Sequence, residues 1–259
     1  MTESLRHYLE FITETAYLAG RLTLGYFQRD IVADWKADKS PVTIADRLSE
    51  ELIRNRIEGA YPNHAIVGEE FGEKEGVGAT HRWFIDPIDG TKSFVRGIPL
   101  YSVLIGLEIE SSIQAGAAYF PAMDEMIAAA NGEGCWWNGH PAHVSQINRL
   151  EESTVAYTDI ENFDRSGRRE SFDRLCKAVY YRTGLGDAYG YLLVATGRIE
   201  VMLDPVMNPW DCAPFPPILK ESGGYFGNWQ GKETIYSNEG LATSLVLRDE
   251  VIALLNAAQ

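Results

Sequence analysis

Cysteine is scarce in this 259-residue chain: Cys135, Cys176 and Cys212 are odd in number and form no CxxC pair. That argues for reduced thiols in a cytoplasmic protein rather than a disulfide framework. Positive charge is also short, with 23 Lys+Arg against 37 Asp+Glu and a net charge of -14. No nucleic-acid partner held by a basic face is expected, and no anionic membrane surface. A small anionic substrate remains compatible, provided cations occupy its site. No apolar run is long enough to span a bilayer. The N-terminal stretch "MTESLRHYLEFITETAYLAG" is interrupted by Glu3, Glu10 and Glu14 and lacks the basic and apolar order of a signal peptide. Repeats, low-complexity tracts and linkers are missing too. Residues 1–259 therefore read as one domain, with halves of about 1–150 and 151–259, able to bury a substantial core.

What is present is clear periodicity. Leu5, Tyr8, Leu9, Ile12, Ala16 and Ala19 recur at helical spacing and predict a long helix over 3–28. A second helix is expected over 44–58, with Ile44, Leu48, Leu52 and Ile57 inward and Pro62 beyond its end. "KADKSPVT" between them reads as a turn-rich loop. "HAIVGEE" and "HRWFID" read as short buried strands ending in acids, followed by a meander of "SVLIGLEI", "SSIQAGAAYF", "EMIAAA" and "GCWWNG". After residue 150 strands and helices alternate: strands in "STVAYT", "AVYYRTG" and "GGYFGNW", helices over 187–197 and 210–222, and a terminal helix in "RDEVIALLNAA". The expected class is layered α/β or α+β.

The chemistry concentrates in "WFIDPIDGTKSF". Asp86 and Asp89 stand three residues apart where a strand ends, Pro87 stops the strand, and Gly90-Thr91 can open a helix. A helix N-terminus offers free N–H groups to phosphate. Carboxylates just before it suit Mg²⁺, which takes a few carboxylates, waters and phosphate oxygens. The plainer alternative is a solvated Asp-rich turn with an Asx cap. Other acids also end elements: Glu69 and Glu70 in "VGEEF", Asp211 in "PWDCA", and Asp46 in "TIAD". Solvated edges and helix caps explain each singly. Together with one phosphate-type loop they point to a metal-assisted phosphate site.

These motifs resemble the inositol monophosphatase-like, Mg²⁺-dependent, lithium-sensitive phosphomonoesterases. The likeness rests on Gly68-Glu69-Glu70, "DPIDGT" at 86–91, Trp210-Asp211 followed by Gly223-Gly224, and the upstream "DKSPVTIAD". The resemblance implies an αβαβα sandwich and a tendency to form homodimers. It implies two or three Mg²⁺ ions held by Glu69, Asp86, the Ile88 carbonyl, Asp89 and Asp211. It assigns Asp46 and Thr91, with Glu69, to catalysis through activation of the attacking water, and the Gly90 and Thr91 amides to phosphate. Glu70 is the partner of Glu69 that the family pattern does not make a ligand.

Within that family, "DPIDGTKSF", "SPVTIAD" and "GDAYGYLLVATGRIEVMLDP" look most like the histidinol-phosphate phosphatase branch. The expected reaction is hydrolysis of histidinol phosphate, in histidine biosynthesis. Asp187 and Asp204 are the candidates for its cationic portion, with Arg182 or Tyr189 shaping the pocket. An N-cap for Asp187 and a strand-end turn for Asp204 are the alternatives. Leu185 and Ala188 depart from the aromatic and cysteine residues common in that branch. Pro214, Pro216 and Pro217 predict an irregular or late-starting helix after Asp211. Of Trp136 and Trp137, one is expected in the core and the other over a subunit interface. The rival functions are a broad inositol monophosphatase and a metal-binding regulatory protein on the same fold.

Overall fold

The computed structural model describes residues 3–30, 32–36, 41–78 and 80–257, so the "DKS" of the upstream motif and most of the expected loop before Pro41 lie outside the described residues. The first helix spans Leu5–Leu24, with Ser4 capping it through the His7 amide. It buries Tyr8, Ile12, Ala16 and Ala19, and the chain beyond Leu24 is a turn. The second spans Ile44–Ala60. Its inward face differs from the expectation: Ile44 is 48% exposed, and the buried residues are Ala45, Asp46, Ser49, Glu50, Ile53 and Ile57. The apolar pattern misplaces this face because half of it is polar and contacts the site loops rather than the core.

An eight-stranded sheet dominates the first half. Its order from one edge is His140–Pro141, Gly134–Trp137, Glu125–Ala130, Ser112–Phe120, Ser102–Ile109, His81–Asp89, Ala65–Gly68 and Gly72–Lys74. All neighbours are antiparallel except Ala65–Gly68 with His81–Asp89, which are parallel. Alternation along His81–Asp89 divides the strand between two cores. Trp83 and Ile85 pack with the first two helices, while Phe84 joins the core between the sheets. Asp86 continues the Phe84 face, and the register with Ser102–Ile109 shifts between Asp86 and Asp89. That irregularity, rather than Pro87 ending the strand, lets both acids lie at its end.

A five-stranded sheet forms the second half, ordered Tyr181–Thr183, Thr154–Tyr157, Val201–Asp204, Gly240–Ser244 and Gly224–Gly227. Helices Ala188–Ala195 and Phe215–Glu221 lie between the sheets. Helices Ile160–Arg165, Arg169–Ala178 and Leu245–Asn256 cover the outer face. With Leu5–Leu24 and Ile44–Ala60 outside the large sheet, the layers run αβαβα. The helix expected over 210–222 is broken into Pro209–Cys212 and Phe215–Glu221 around Ala213-Pro214. Paired Gly106 and Gly116 on the large sheet admit this break. A Cβ at Gly106 would lie 2.5 Å from that of Ala213, and one at Gly116 would collide with Pro214. Close approach of chain to sheet brings Asp211 beside the Asp86–Asp89 segment. Trp137 packs against the inner core, whereas Trp136 is 43% exposed.

Candidate active site

The ends of His81–Asp89 and Val201–Asp204 and the starts of four helices surround a cleft of about 430 Å³. Glu69, Asp86, Ile88, Asp89, Gly90, Thr91, Asp187, Asp204 and Asp211 all line it, so nine sequence-expected residues meet here. Asp46 lies just behind, fully buried. Its Oδ2 accepts from the Thr43 amide at 2.8 Å and the Thr43 hydroxyl at 2.6 Å. Its Oδ1 accepts from the Thr91 hydroxyl at 3.3 Å, and that hydroxyl also lies 3.0 Å from the Ile88 carbonyl. One carboxylate thus serves as both helix cap and partner of Thr91. Gly90 enables the turn with φ +81°, a region costly for any side chain, and a Cβ there would meet the Leu100 carbonyl at 2.9 Å.

Most of the acids are held by hydrogen-bond donors. Asp86 accepts from the Ile88 amide at 3.0 Å, and Asp89 from the Ala188 amide at 2.8 Å and the Ser102 hydroxyl at 3.3 Å. Asp211 is not an N-cap: Asn208 holds that place, and its amide donates to Asp211 at 2.8 Å. Asp187 does precede the Ala188–Ala195 helix, yet its side chain makes no capping bond. Its backbone, φ 52° and ψ -157°, is strained for a non-glycine, and its amide donates to the Thr158 hydroxyl at 2.8 Å. Asp204 accepts from the Tyr191 hydroxyl at 3.1 Å and the Thr158 amide at 3.3 Å.

Crowded burial perturbs these groups strongly. Burial, then repulsion from Glu69, Asp89 and Asp211, raises Asp86 well above the usual carboxylate range. Asp89 is raised likewise by burial and then by Asp187 and Asp211. Burial pushes Asp211 up to about 7, partly opposed by the Asn208 amide. It pushes Asp204 up to about 8, and Asp187 up to about 6 against the pull of Lys92. Lys92 is the one cation among the described residues lining the cleft. Such a set of mutually repelling oxygen donors suits hard divalent cations. Among the described residues no three acids already form a closed cage round one point. Mg²⁺ needs none, since it keeps waters and takes substrate phosphate oxygens beside one or two carboxylates. The donor set therefore fits the metal.

Several site neighbours escaped the sequence reading. Lys36 bonds both Glu69 at 2.7 Å and Glu70 at 2.6 Å, so Glu70 lies beside the cleft lining, shielded by that ammonium. Burial pushes Glu70 up to about 7 even so. Thr158, Asp159 and Asn208 line the cleft from connecting segments, and Asn162 from the first turn of helix Ile160–Arg165, none of them within a motif. Arg182 is a correction. It sits on the edge strand Tyr181–Thr183, outside the cleft, and its guanidinium donates to the Cys176 and Val179 carbonyls at the end of a helix. Tyr189 also turns away, packing on Phe120 and donating to Glu125 at 3.3 Å.

Comparison with known proteins gives a consistent picture. The family model described as "Inositol monophosphatase family" matches residues 4–259. A histidinol-phosphatase of Chlorobaculum parvum is 44% identical over 237 residues, covering 91% of each chain. One of Streptomyces coelicolor is 34% identical and covers 88% of each. Among solved structures, the extragenic suppressor protein suhB of Bartonella henselae superposes with a TM-score of 0.90 at 26% identity, over 98% of this chain and 100% of that one.

Proposed function

The chain belongs to the inositol monophosphatase family and is a phosphoric monoester hydrolase of the histidinol-phosphatase kind, and from that premise we propose that it hydrolyses histidinol phosphate to histidinol and phosphate. In that role it serves histidine biosynthesis. The observation that carries the reading is the second set of acids: Asp159, Asp187 and Asp204 line the same cleft as the "DPIDGT" turn. A neutral alcohol can offer these acids only hydroxyl hydrogen bonds, whereas a substrate bearing an ammonium and an imidazole also brings complementary charge.

Glu69, Asp86, Asp89, Asp211 and the Ile88 carbonyl would hold two or three Mg²⁺ ions. When bound, these ions neutralise phosphate charge and acidify a water. The rest of the chemistry belongs to the chain. Amides of Gly90 and Thr91, at the start of helix Thr91–Val95, face phosphate oxygens. The Thr91 hydroxyl accepts the proton of the attacking water while passing its own to Asp46 Oδ1, 3.3 Å away. Burial raises the pKa of Asp46 despite its bonds to Thr43, which suits it to take that proton. No histidine or cysteine nucleophile is needed. Asp187 and Asp204 orient the alcohol portion of the substrate through its ammonium.

We propose further that the enzyme works as a homodimer in the cytoplasm. Cys135, Cys176 and Cys212 are all free thiols, consistent with that compartment. No described helix is long and apolar enough to cross a membrane. Phosphate release with Mg²⁺ from histidinol phosphate, inositol 1-phosphate and glycerol phosphate tests the assignment. Preference for histidinol phosphate by kcat/KM is the expected outcome. Preference for the inositol ester would leave the phosphatase in place and move the substrate to the rival branch.

A further inference from the structure

The buried face of helix Ile44–Ala60 holds one charged group that the proposed chemistry does not use. Glu50 is completely buried, one turn beyond Asp46. Its Oε2 accepts from the Glu70 amide at 2.7 Å, and its Oε1 from the Phe71 amide at 3.2 Å. Arg54, one further turn along, donates to the same Oε1 through Nε at 2.7 Å and to the Gly72 carbonyl through Nη2. Gly68 lies so close that a Cβ there would overlap the Glu50 carboxylate. Residues 68–72, which carry Glu69, are thus gripped from one side by a carboxylate–guanidinium pair.

The same helix face reaches the other ligand-bearing turn. Asp46 bonds Thr91, and the Ser49 hydroxyl donates to the Pro87 carbonyl at 3.3 Å. Positions 46, 49, 50 and 54 lie at helical spacings of three and four, so they form one stripe. Each contact spans 18 or more residues of sequence: Ser49 to Pro87 spans 38, Glu50 to Glu70 spans 20, and Arg54 to Gly72 spans 18. Because a helix is stiff and its rise is fixed, this stripe sets the separation between the Glu69 turn and the Asp86–Asp89 turn.

We infer that Glu50 is a positioning residue for the metal centre: it acts through the 69–71 backbone to hold Glu69 at the distance from Asp86 and Asp89 that shared cations require. A carboxylate is needed because three donors converge on it. A carboxamide of the same size can accept at only one end and turns an N–H toward another donor. This inference rests on the functional reading above in taking Glu69, Asp86 and Asp89 as ligands.

Glu50→Gln tests it. Mn²⁺ binding, followed by loss of the free-ion paramagnetic resonance signal without substrate, should weaken about 10- to 100-fold. The Mg²⁺ concentration giving half-maximal rate should rise in parallel, while kcat at saturating Mg²⁺ falls far less. Arg54→Lys keeps both charges but gives up the guanidinium's two-point grip, and should weaken Mn²⁺ several-fold, which keeps the idea testable should Glu50→Gln fold poorly. Mn²⁺ affinity unchanged in either folded variant, even with lowered melting temperature, would make the pair a structural one and overturn the inference. Failure of the wild-type protein to bind Mn²⁺ would instead overturn the functional reading beneath it.

Discussion

Asp204→Asn separates substrate recognition from catalysis, and the structure sets its size. Asp204 is 4% exposed and its pKa is pushed up to about 8, so at pH 7 the neutral form predominates by about tenfold. Ionising it to meet an ammonium costs about 1.4 kcal/mol. A hydrogen bond between the two charged groups returns roughly 1.5–3 kcal/mol. The net gain is about 0.1–1.6 kcal/mol, a factor from near one to about fifteen in kcat/KM. The substitution should leave the fold intact. The Tyr191 hydroxyl has a second acceptor in the Met207 sulfur at 3.0 Å, so it can turn and accept from the new amide. Phosphate release would be measured for histidinol phosphate and glycerol phosphate in both proteins. The ratio of kcat/KM values should fall by up to about fifteenfold, nearly all of it in the histidinol ester. In the wild type the ratio should rise from pH 7 to pH 8, as Asp204 ionises unaided and the substrate ammonium stays charged. Equal losses for both esters, or a ratio indifferent to pH, would refute recognition through Asp204.

Three further outcomes are expected. Asp89→Asn removes one charge from the proposed metal-binding set at constant volume, so turnover should drop on the order of a hundredfold or more with the circular dichroism spectrum unchanged; near-normal rates at saturating Mg²⁺ would dismiss Asp89 as a ligand. Millimolar Li⁺ should inhibit where K⁺ at equal ionic strength does not, and equal inhibition by the two would reduce the effect to screening. His64 accepts the Trp83 indole N–H on Nδ1 at 3.1 Å and stacks on His81 at 4.4 Å. Burial, then the His81 charge, lowers its pKa to about 4. A depressed histidine contributes stability above its unfolded pKa near 6.5 that is lost as pH falls toward 4. The raised acids of the cleft act the other way as pH falls, so the His64 contribution is read as a difference: the wild-type urea midpoint should fall relative to that of His64→Gln between pH 6.5 and 4; a difference that stays constant across the window would exclude His64 as a source.

Much of this protein is legible in the sequence because the decisive signals are local. Amphipathic spacing marks the first helix, and apolar runs bounded by turns mark the meander of the large sheet. The "DPIDGT" turn brings together within six residues two acids, a glycine at positive φ and a threonine hydroxyl. Together with Gly68-Glu69-Glu70 and Trp210-Asp211 it identifies a family. Tertiary structure decided what depends on distant partners. Arg182 is expected to shape the pocket for the substrate's alcohol portion but bonds the end of a helix, because its strand lies at the sheet edge. The second helix was expected to turn Ile44 and Leu48 inward. Instead it buries Asp46, Ser49 and Glu50, since these reach Thr91, Pro87 and Glu70 across 20 to 45 residues of sequence. Periodicity registers apolar faces that meet a core. It does not register a polar face whose burial is stabilised by hydrogen bonds to loops that only the fold brings near.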